Sequence, residues 1–211
     1  MKIDPSIKNL IFDLGGVILD LSIDQTMKDF STLSGISKDK VSELYNSTPG
    51  FEVYERGMMT DEAFRNFVRE VFVITSTDKE IDSCWNAMLL GLPTRKLQLL
   101  ENLKKSHLVY LLSNTNSIHI SYINQVMLPG ITSNGNLLDS YFHKAYYSHV
   151  MKKRKPNADI FEQVLTENSL LPHETLFLDD NLANIEGARK LGIQTVHVLT
   201  PDLILNYFNE A

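Results

Sequence analysis

The stretch Leu10-Ile11-Phe12-Asp13-Leu14-Gly15-Gly16-Val17-Ile18 sets the tightest limit on what this chain can fold into. An apolar run ends on a single carboxylate and is followed at once by two glycines, which is how a buried parallel strand delivers a side chain to the rim of a sheet. An ionised carboxylate beside a dry core is costly unless it is paired or binds a cation. Gly15 and Gly16 allow the chain to leave the strand sharply and let its backbone approach a ligand. A turn-forming or capping Asp leaves the same local trace, so the remaining sequence has to separate the two readings.

After Asp20 the pattern turns helical for some seventy residues. Met27, Phe30 and Leu33 mark a first helix that Gly35 stops, and Val41, Leu44 and Tyr45 a second entered from Ser37. Thr48-Pro49-Gly50 reads as a loop. Thr60 caps a third helix with Phe64, Phe67, Val68 and Val71 at helical spacing, and the capping box Thr77-Asp78-Lys79-Glu80 opens a fourth with Ile81, Cys84, Trp85 and Met88 on one face. Four amphipathic helices in a row predict a small bundle.

From Pro93 onward helices and strands alternate. Leu108 to Leu112 is apolar throughout, which predicts a central strand ending in Ser113-Asn114. A loop spans Pro129 to Asn136, a short strand lies near Ala145-Tyr146-Tyr147, a helix opens at Pro156, Thr175 to Leu178 is a strand ending on Asp179-Asp180, and Thr195 to Leu199 is the last strand. Repeated βα units imply a doubly wound parallel sheet. The chain is therefore an α/β core over residues 1–20 and 94–211, interrupted by a helical cap at 21–93.

Composition narrows the function. At 211 residues a sizeable core can be buried, and a formal charge of −6 argues against a general nucleic-acid or anionic-membrane surface. Cys84 is the single cysteine, which rules out an internal disulfide and a cysteine-rich zinc site. Met1-Lys2-Ile3-Asp4-Pro5 lacks the apolar region of a signal peptide, and no apolar run reaches spanning length. A cytoplasmic protein with a small soluble partner is expected.

Ligands of a parallel α/β sheet bind outside the carboxyl ends of its strands. Four strand ends or the loops beyond them offer polar groups there: Asp13, Ser113-Asn114, Lys155 and Asp179-Asp180. Each alone could be a cap or a solvated charge. Together, three carboxylates on one edge would repel, and a hard divalent cation relieves that repulsion while accepting a phosphate oxygen. Mg²⁺ suits carboxylates, a carbonyl and water.

This ordered set closely resembles the motifs of the haloacid dehalogenase-like hydrolase superfamily, within it the α-D-glucose-1-phosphate phosphatase-like branch of small sugar-phosphate phosphatases. The closer similarity rests on Phe12 to Val17, Glu55-Arg56-Gly57, Leu112 to Asn116 with His119, Arg154-Lys155-Pro156, and Phe177 to Asn181 with Asn184 to Ala188. The resemblance implies a Mg²⁺-dependent phosphatase of a small phosphorylated metabolite, with Asp13 as the nucleophile that becomes an aspartyl-phosphate. It further implies that Asp13, the Gly15 carbonyl, Asp180 and Asp179 hold the metal. Ser113 and the Asn114 amide would bind phosphoryl oxygens, with Lys155 neutralising charge. Arg56 is a candidate contact to the rest of the substrate, with an ion pair between helices as the other explanation.

The chain departs from the superfamily at Gly15, where most of its phosphatases place a second Asp that protonates the leaving oxygen. General acid–base help is typically worth ~10²–10⁴-fold, and Asp20 and His119 are the candidates to replace it. Lys152 stands where similar sequences often carry glycine. Gly15 also leaves open a metal-free dehalogenase-type hydrolase, which Asp179-Asp180 opposes, and a degenerate member that binds a ligand or partner without turnover, which leaves Asp13, Lys155 and both later acids unexplained.

Overall fold

β1 (Asn9–Phe12) is buried along its whole length, and its residues alternate between two cores. Leu10 and Phe12 pack on one face with Val109, Leu111, Leu176 and Leu178, while Ile11 packs on the other with Tyr110, Leu112 and Phe177. This period of two with both faces covered is why the sequence reads as an unbroken apolar run. The computed structural model describes residues 4–132 and 135–209. Residues 133 and 134 of the expected Pro129–Asn136 loop therefore lie outside the described residues.

The other strands are β2 (Asp20–Leu21), β3 (Leu89–Gly91), β4 (Leu108–Ser113), β5 (Lys144–Tyr147), β6 (Thr175–Asp179) and β7 (Gln194–His197). Among the described residues, five form a parallel sheet in the order β5-β4-β1-β6-β7. The chain builds outward from β1 to one side, then crosses and builds to the other, so β1 sits at the switch point where such sheets open a crevice. Phe12 is level with Leu111 and Leu178, and Ser113 with Tyr147, so the ends of β1, β4, β5 and β6 share one edge.

The helices are α1 (Ile23–Ser34), α2 (Lys38–Ser47), α3 (Gly50–Glu55), α4 (Asp61–Phe72), α5 (Asp78–Asn86), α6 (Thr94–Leu103), α7 (Ser117–Tyr122), α8 (Ser148–Met151), α9 (Ala158–Glu167), α10 (Leu182–Arg189) and α11 (Leu203–Asn209). Leu97 and Leu100 of α6 and Ile204 of α11 cover one sheet face. Ile160, Phe161 and Val164 of α9 with Ile185 and Ala188 of α10 cover the other, giving the doubly wound arrangement.

Helices α1 to α5 bury an apolar cluster of their own, including Met27, Phe30, Phe51, Tyr54, Phe64 and Trp85. They are the inserted helical-bundle cap, and the antiparallel pair β2–β3 closes its base where the chain leaves and re-enters the core. Local signals set the helix ends. Gly35 is left-handed and its N–H donates to the Ser31 carbonyl; Thr60 accepts from the Ala63 amide at 3.2 Å; and Thr77 and Glu80 close the capping box in both directions.

The bundle holds five helices rather than four, because the Pro49-Gly50 turn starts the short α3. Similarly, α9 begins at Ala158 behind an Asn157 N-cap, two residues later than Pro156 suggested. Lys152 has φ +59°, the left-handed conformation that glycine adopts most readily.

Candidate active site

The Asp13 amide donates to the Leu178 carbonyl at 2.9 Å, extending the β1–β6 ladder by one residue and fixing the carboxylate at the rim. Lys155, its side chain fully buried, reaches the same point: Nζ lies 2.8 Å from Asp13 Oδ1 and 2.7 Å from Asp179 Oδ2. Asn114 holds the lysine backbone by a reciprocal pair. Its Nδ2 donates to the Lys155 carbonyl and its Oδ1 accepts from the Lys155 amide, both at 3.0 Å. The end of β4 thus positions the ammonium that stands between β1 and β6.

Asp179 is buried and saturated. Besides Lys155 it accepts from the Asn181 amide at 2.8 Å and from Asn184 Nδ2 at 3.0 and 3.1 Å. Asp180 is exposed, and its carboxylate accepts no hydrogen bond from another described side chain. One oxygen from each of Asp13, Asp179 and Asp180 lies within 4.8 Å of the others, a spacing that suits a cation. Gly16 makes the approach feasible: its φ is +74°, and a Cβ there would collide with Asp180 Oδ2. The conformation and the contact both require glycine.

Electrostatics fit that use. Burial pushes the Asp13 carboxyl up to about 7 against the pull of Lys155, and Asp179 adds to the push. Burial and the neighbouring Asp179 also raise Asp180. Burial alone would lower Lys155, but Asp13 and Asp179 reverse this and keep it an ammonium. One fixed positive charge faces three carboxylates. A divalent cation would balance the set and favour the ionised form of Asp13.

Ser113 ends β4 with 2 % of its surface exposed, and its hydroxyl makes no hydrogen bond to the described residues. Ser113 and Asn114 line a cavity of about 110 Å³ together with Leu14 and Gly15, the residues directly after Asp13. Its far walls are apolar, from Leu19, Leu21, Ile23, Met88, Leu89 and Ile123, with Tyr45 and Glu55 of the cap adding polar groups.

Three residues weighed from the sequence are committed to other partners. Arg56 Nε and Nη2 donate to Glu52 Oε1 one turn back in α3, at 3.0 and 2.8 Å, and Arg56 is not part of this cavity wall. Asp20 accepts from the buried Lys96 at 2.9 Å at the base of the cap. His119 borders the cavity, but its ring is spent on the Trp85 carbonyl and on Asn116, and burial lowers it to about 4. A group held neutral at pH 7 in that way has no proton to spare for a leaving oxygen. The residues that reasoning from sequence missed are Tyr45 and Glu55. Tyr45 reads as one more apolar position of α2, and Glu55 is overshadowed by the cation after it.

A parallel sheet with the first strand central, a helical insertion directly after it, and a carboxylate–lysine–carboxylate bridge at the strand ends are the marks of one hydrolase class. Residues 10–198 match the haloacid dehalogenase-like hydrolase family, and the chain belongs to it. It is similar to the D-ribitol-5-phosphate phosphatase of Bacteroides thetaiotaomicron, 33 % identical over 189 residues and covering 90 % of each chain. Among solved structures it is similar to a family enzyme of Bacteroides thetaiotaomicron in complex with magnesium and inorganic phosphate, with 36 % identity, a TM-score of 0.81, and 90 % of this chain and 93 % of that one covered. It is also similar to a predicted HAD-like family hydrolase of Porphyromonas gingivalis, with 30 % identity, a TM-score of 0.82, and 93 % and 91 % covered.

Proposed function

We propose that this hydrolase is a Mg²⁺-dependent phosphatase of a small phosphorylated metabolite, a sugar or polyol monophosphate, acting through an aspartyl-phosphate on Asp13. The observation that carries the reading is the buried Lys155 ammonium, 2.8 Å from Asp13 and 2.7 Å from Asp179, with the exposed carboxylate of Asp180 beside them. The relative named for ribitol 5-phosphate supports a polyol phosphate as the substrate, and the neighbour solved with magnesium and inorganic phosphate supports the metal.

In this reading Asp13, the Gly15 carbonyl and Asp180 would hold the metal with Asp179 beside them, directly or through water, while Asp179 also orients Lys155. When bound there, Mg²⁺ would supply positive charge that offsets the charge on the phosphoryl oxygens. An Asp13 oxygen forms a bond to phosphorus as the bond from phosphorus to the ester oxygen breaks, and the leaving oxygen takes a proton from water. The Ser113 hydroxyl and the Asn114 amide bind the equatorial oxygens while Lys155 stabilises their charge. Water then attacks the aspartyl-phosphate, releasing inorganic phosphate and the free carboxylate. Residues 21–93 act as the cap that excludes bulk solvent during these steps. A metal-free dehalogenase would leave Asp180 unbalanced beside Asp13, so the phosphatase reading accounts for more of the site.

Phosphate release from p-nitrophenyl phosphate and ribitol 5-phosphate tests the proposal. Turnover should need Mg²⁺, stop in EDTA, and fall by at least ~10³-fold in Asp13→Asn. Unimpaired turnover by Asp13→Asn would overturn the nucleophile assignment. No turnover of any phosphate ester by the unsubstituted protein would favour a binding role instead.

A further inference from the structure

The cavity beside Gly15 has an outer neighbour, a groove of about 300 Å³ lined by α2, α3 and Arg154. Tyr45 and Glu55 belong to the walls of both, so they stand where the inner cavity meets the surface. The Tyr45 ring is fixed against Phe51, with centroids 4.8 Å apart, but its hydroxyl has no hydrogen bond to the described residues. Glu55 is 19 % exposed at its side chain, and Oε2 accepts from Arg154 Nε at 2.9 Å. Oε1 has no partner among the described residues. Two polar groups at the mouth of a mostly apolar chamber are thus left with bonding capacity, although packing holds both in place.

We propose that Tyr45 and Glu55 are the specificity-determining residues of the site, reading hydroxyl groups on an uncharged polyol leaving group and rejecting an anionic one. The inference rests on the phosphatase reading and deepens it. Arg154 holds the other oxygen of Glu55 in place, so its free oxygen accepts a hydrogen bond from a substrate hydroxyl and disfavours a second phosphate or a carboxylate on the substrate. Burial and the neighbouring Glu55 push the Tyr45 hydroxyl up to about 12, so it stays protonated and both donates and accepts. The apolar walls receive the carbon chain. The chamber, of about 110 Å³, opens onto the outer groove between Tyr45 and Glu55.

Steady-state kcat/KM with Mg²⁺ on ribitol 5-phosphate, p-nitrophenyl phosphate and 3-phosphoglycerate, for the unsubstituted protein, Tyr45→Phe and Glu55→Gln, tests this. Tyr45→Phe should lower the ribitol 5-phosphate to p-nitrophenyl phosphate ratio about tenfold, mostly through KM. Glu55→Gln should raise the 3-phosphoglycerate to ribitol 5-phosphate ratio by about tenfold or more. Both replacements keep the shape of the side chain, and a thermal melt reports whether either has lost its fold. If the aryl phosphate is turned over but neither ratio moves by more than about twofold, Tyr45 and Glu55 do not read the leaving group and the proposal fails alone. If the unsubstituted protein turns over none of the three esters, the phosphatase reading falls and the specificity proposal falls with it.

Discussion

Gly15 occupies the position at which a second carboxylate would serve the leaving oxygen, and the space around it can be read directly. A Cβ built there meets Leu21 Cδ2 at 3.2 Å, the tip of a side chain that can rotate away, and Gly15 has no left-handed φ. Gly15→Asp should therefore fold and supply the missing acid. For an alkyl phosphate, whose leaving oxygen needs a proton, kcat should rise by roughly 10²-fold relative to p-nitrophenyl phosphate, whose leaving group does not; parallel steady-state assays give that ratio. Gly16 next to it has no such freedom. Its φ of +74° and the Asp180 carboxylate over its Cα both exclude a side chain. Gly16→Ala should displace Asp180 and weaken Mg²⁺ activation, seen as a higher half-saturating metal concentration. Adjacent glycines with the same appearance in sequence are thus separated by what each one's missing Cβ would touch.

At the level of elements, most helix ends follow their local signals, and Val73 is a clear departure. Val73 ends α4 in the left-handed region at φ +53°, its N–H donating to the Arg69 carbonyl, and its side chain is 85 % exposed. A β-branched residue is strained there and its apolar surface gains nothing from burial. Val73→Gly should raise stability by about 0.5–1 kcal/mol, a Tm increase of about 1–4 °C for a chain of this size by scanning calorimetry, with turnover unaffected. Lys152 shares that backbone region, but its ammonium donates to the Gly57 carbonyl, so the same replacement there would remove a tie between cap and core. That tie sits in a dense contact: a Cβ on Gly57 would run into the His149 carbonyl, and Ser148 Oγ donates to the Glu55 carbonyl at 2.6 Å. The turn that carries Glu55 is in this way docked against the segment that carries Lys155.

At the scale of the whole molecule, the cap is pinned to the core a second time through His119. Its Nε2–H donates to the Trp85 carbonyl at 3.1 Å, its ring stacks on Trp85 at 5.1 Å, and Nδ1 accepts from Asn116 Nδ2 at 3.1 Å. A second proton would have to point at another donor, and burial, with His149 nearby, already lowers the group to about 4 although the Trp85 carbonyl opposes this. A histidine whose folded value lies below its unfolded value of about 6.5 contributes its full stability above that pH and loses it as pH falls toward 4. The loss amounts to roughly 3 kcal/mol at the lower end. Urea melts between pH 7.5 and 4 should show the native protein's advantage over His119→Gln shrinking across that window, and a constant difference would mean the ring is not held neutral.

The sequence by itself determined the parallel sheet, the helical insertion and the strand that carries Asp13, because burial on two faces and helical spacing are written in every few residues. It also named Ser113, Asn114, Lys155, Asp179 and Asp180 as candidates, since each follows directly on a strand or stands in a short motif. Only the tertiary structure decided which of them touch. Asp179 is saturated while Asp180 is not. Arg56 folds back onto Glu52, and Tyr45 and Glu55 meet at the cavity mouth although they lie on different helices. Strand order and burial are set by the periodicity of a few neighbouring residues, whereas the direction of a long polar side chain is set by partners tens of residues away, and no local pattern records it.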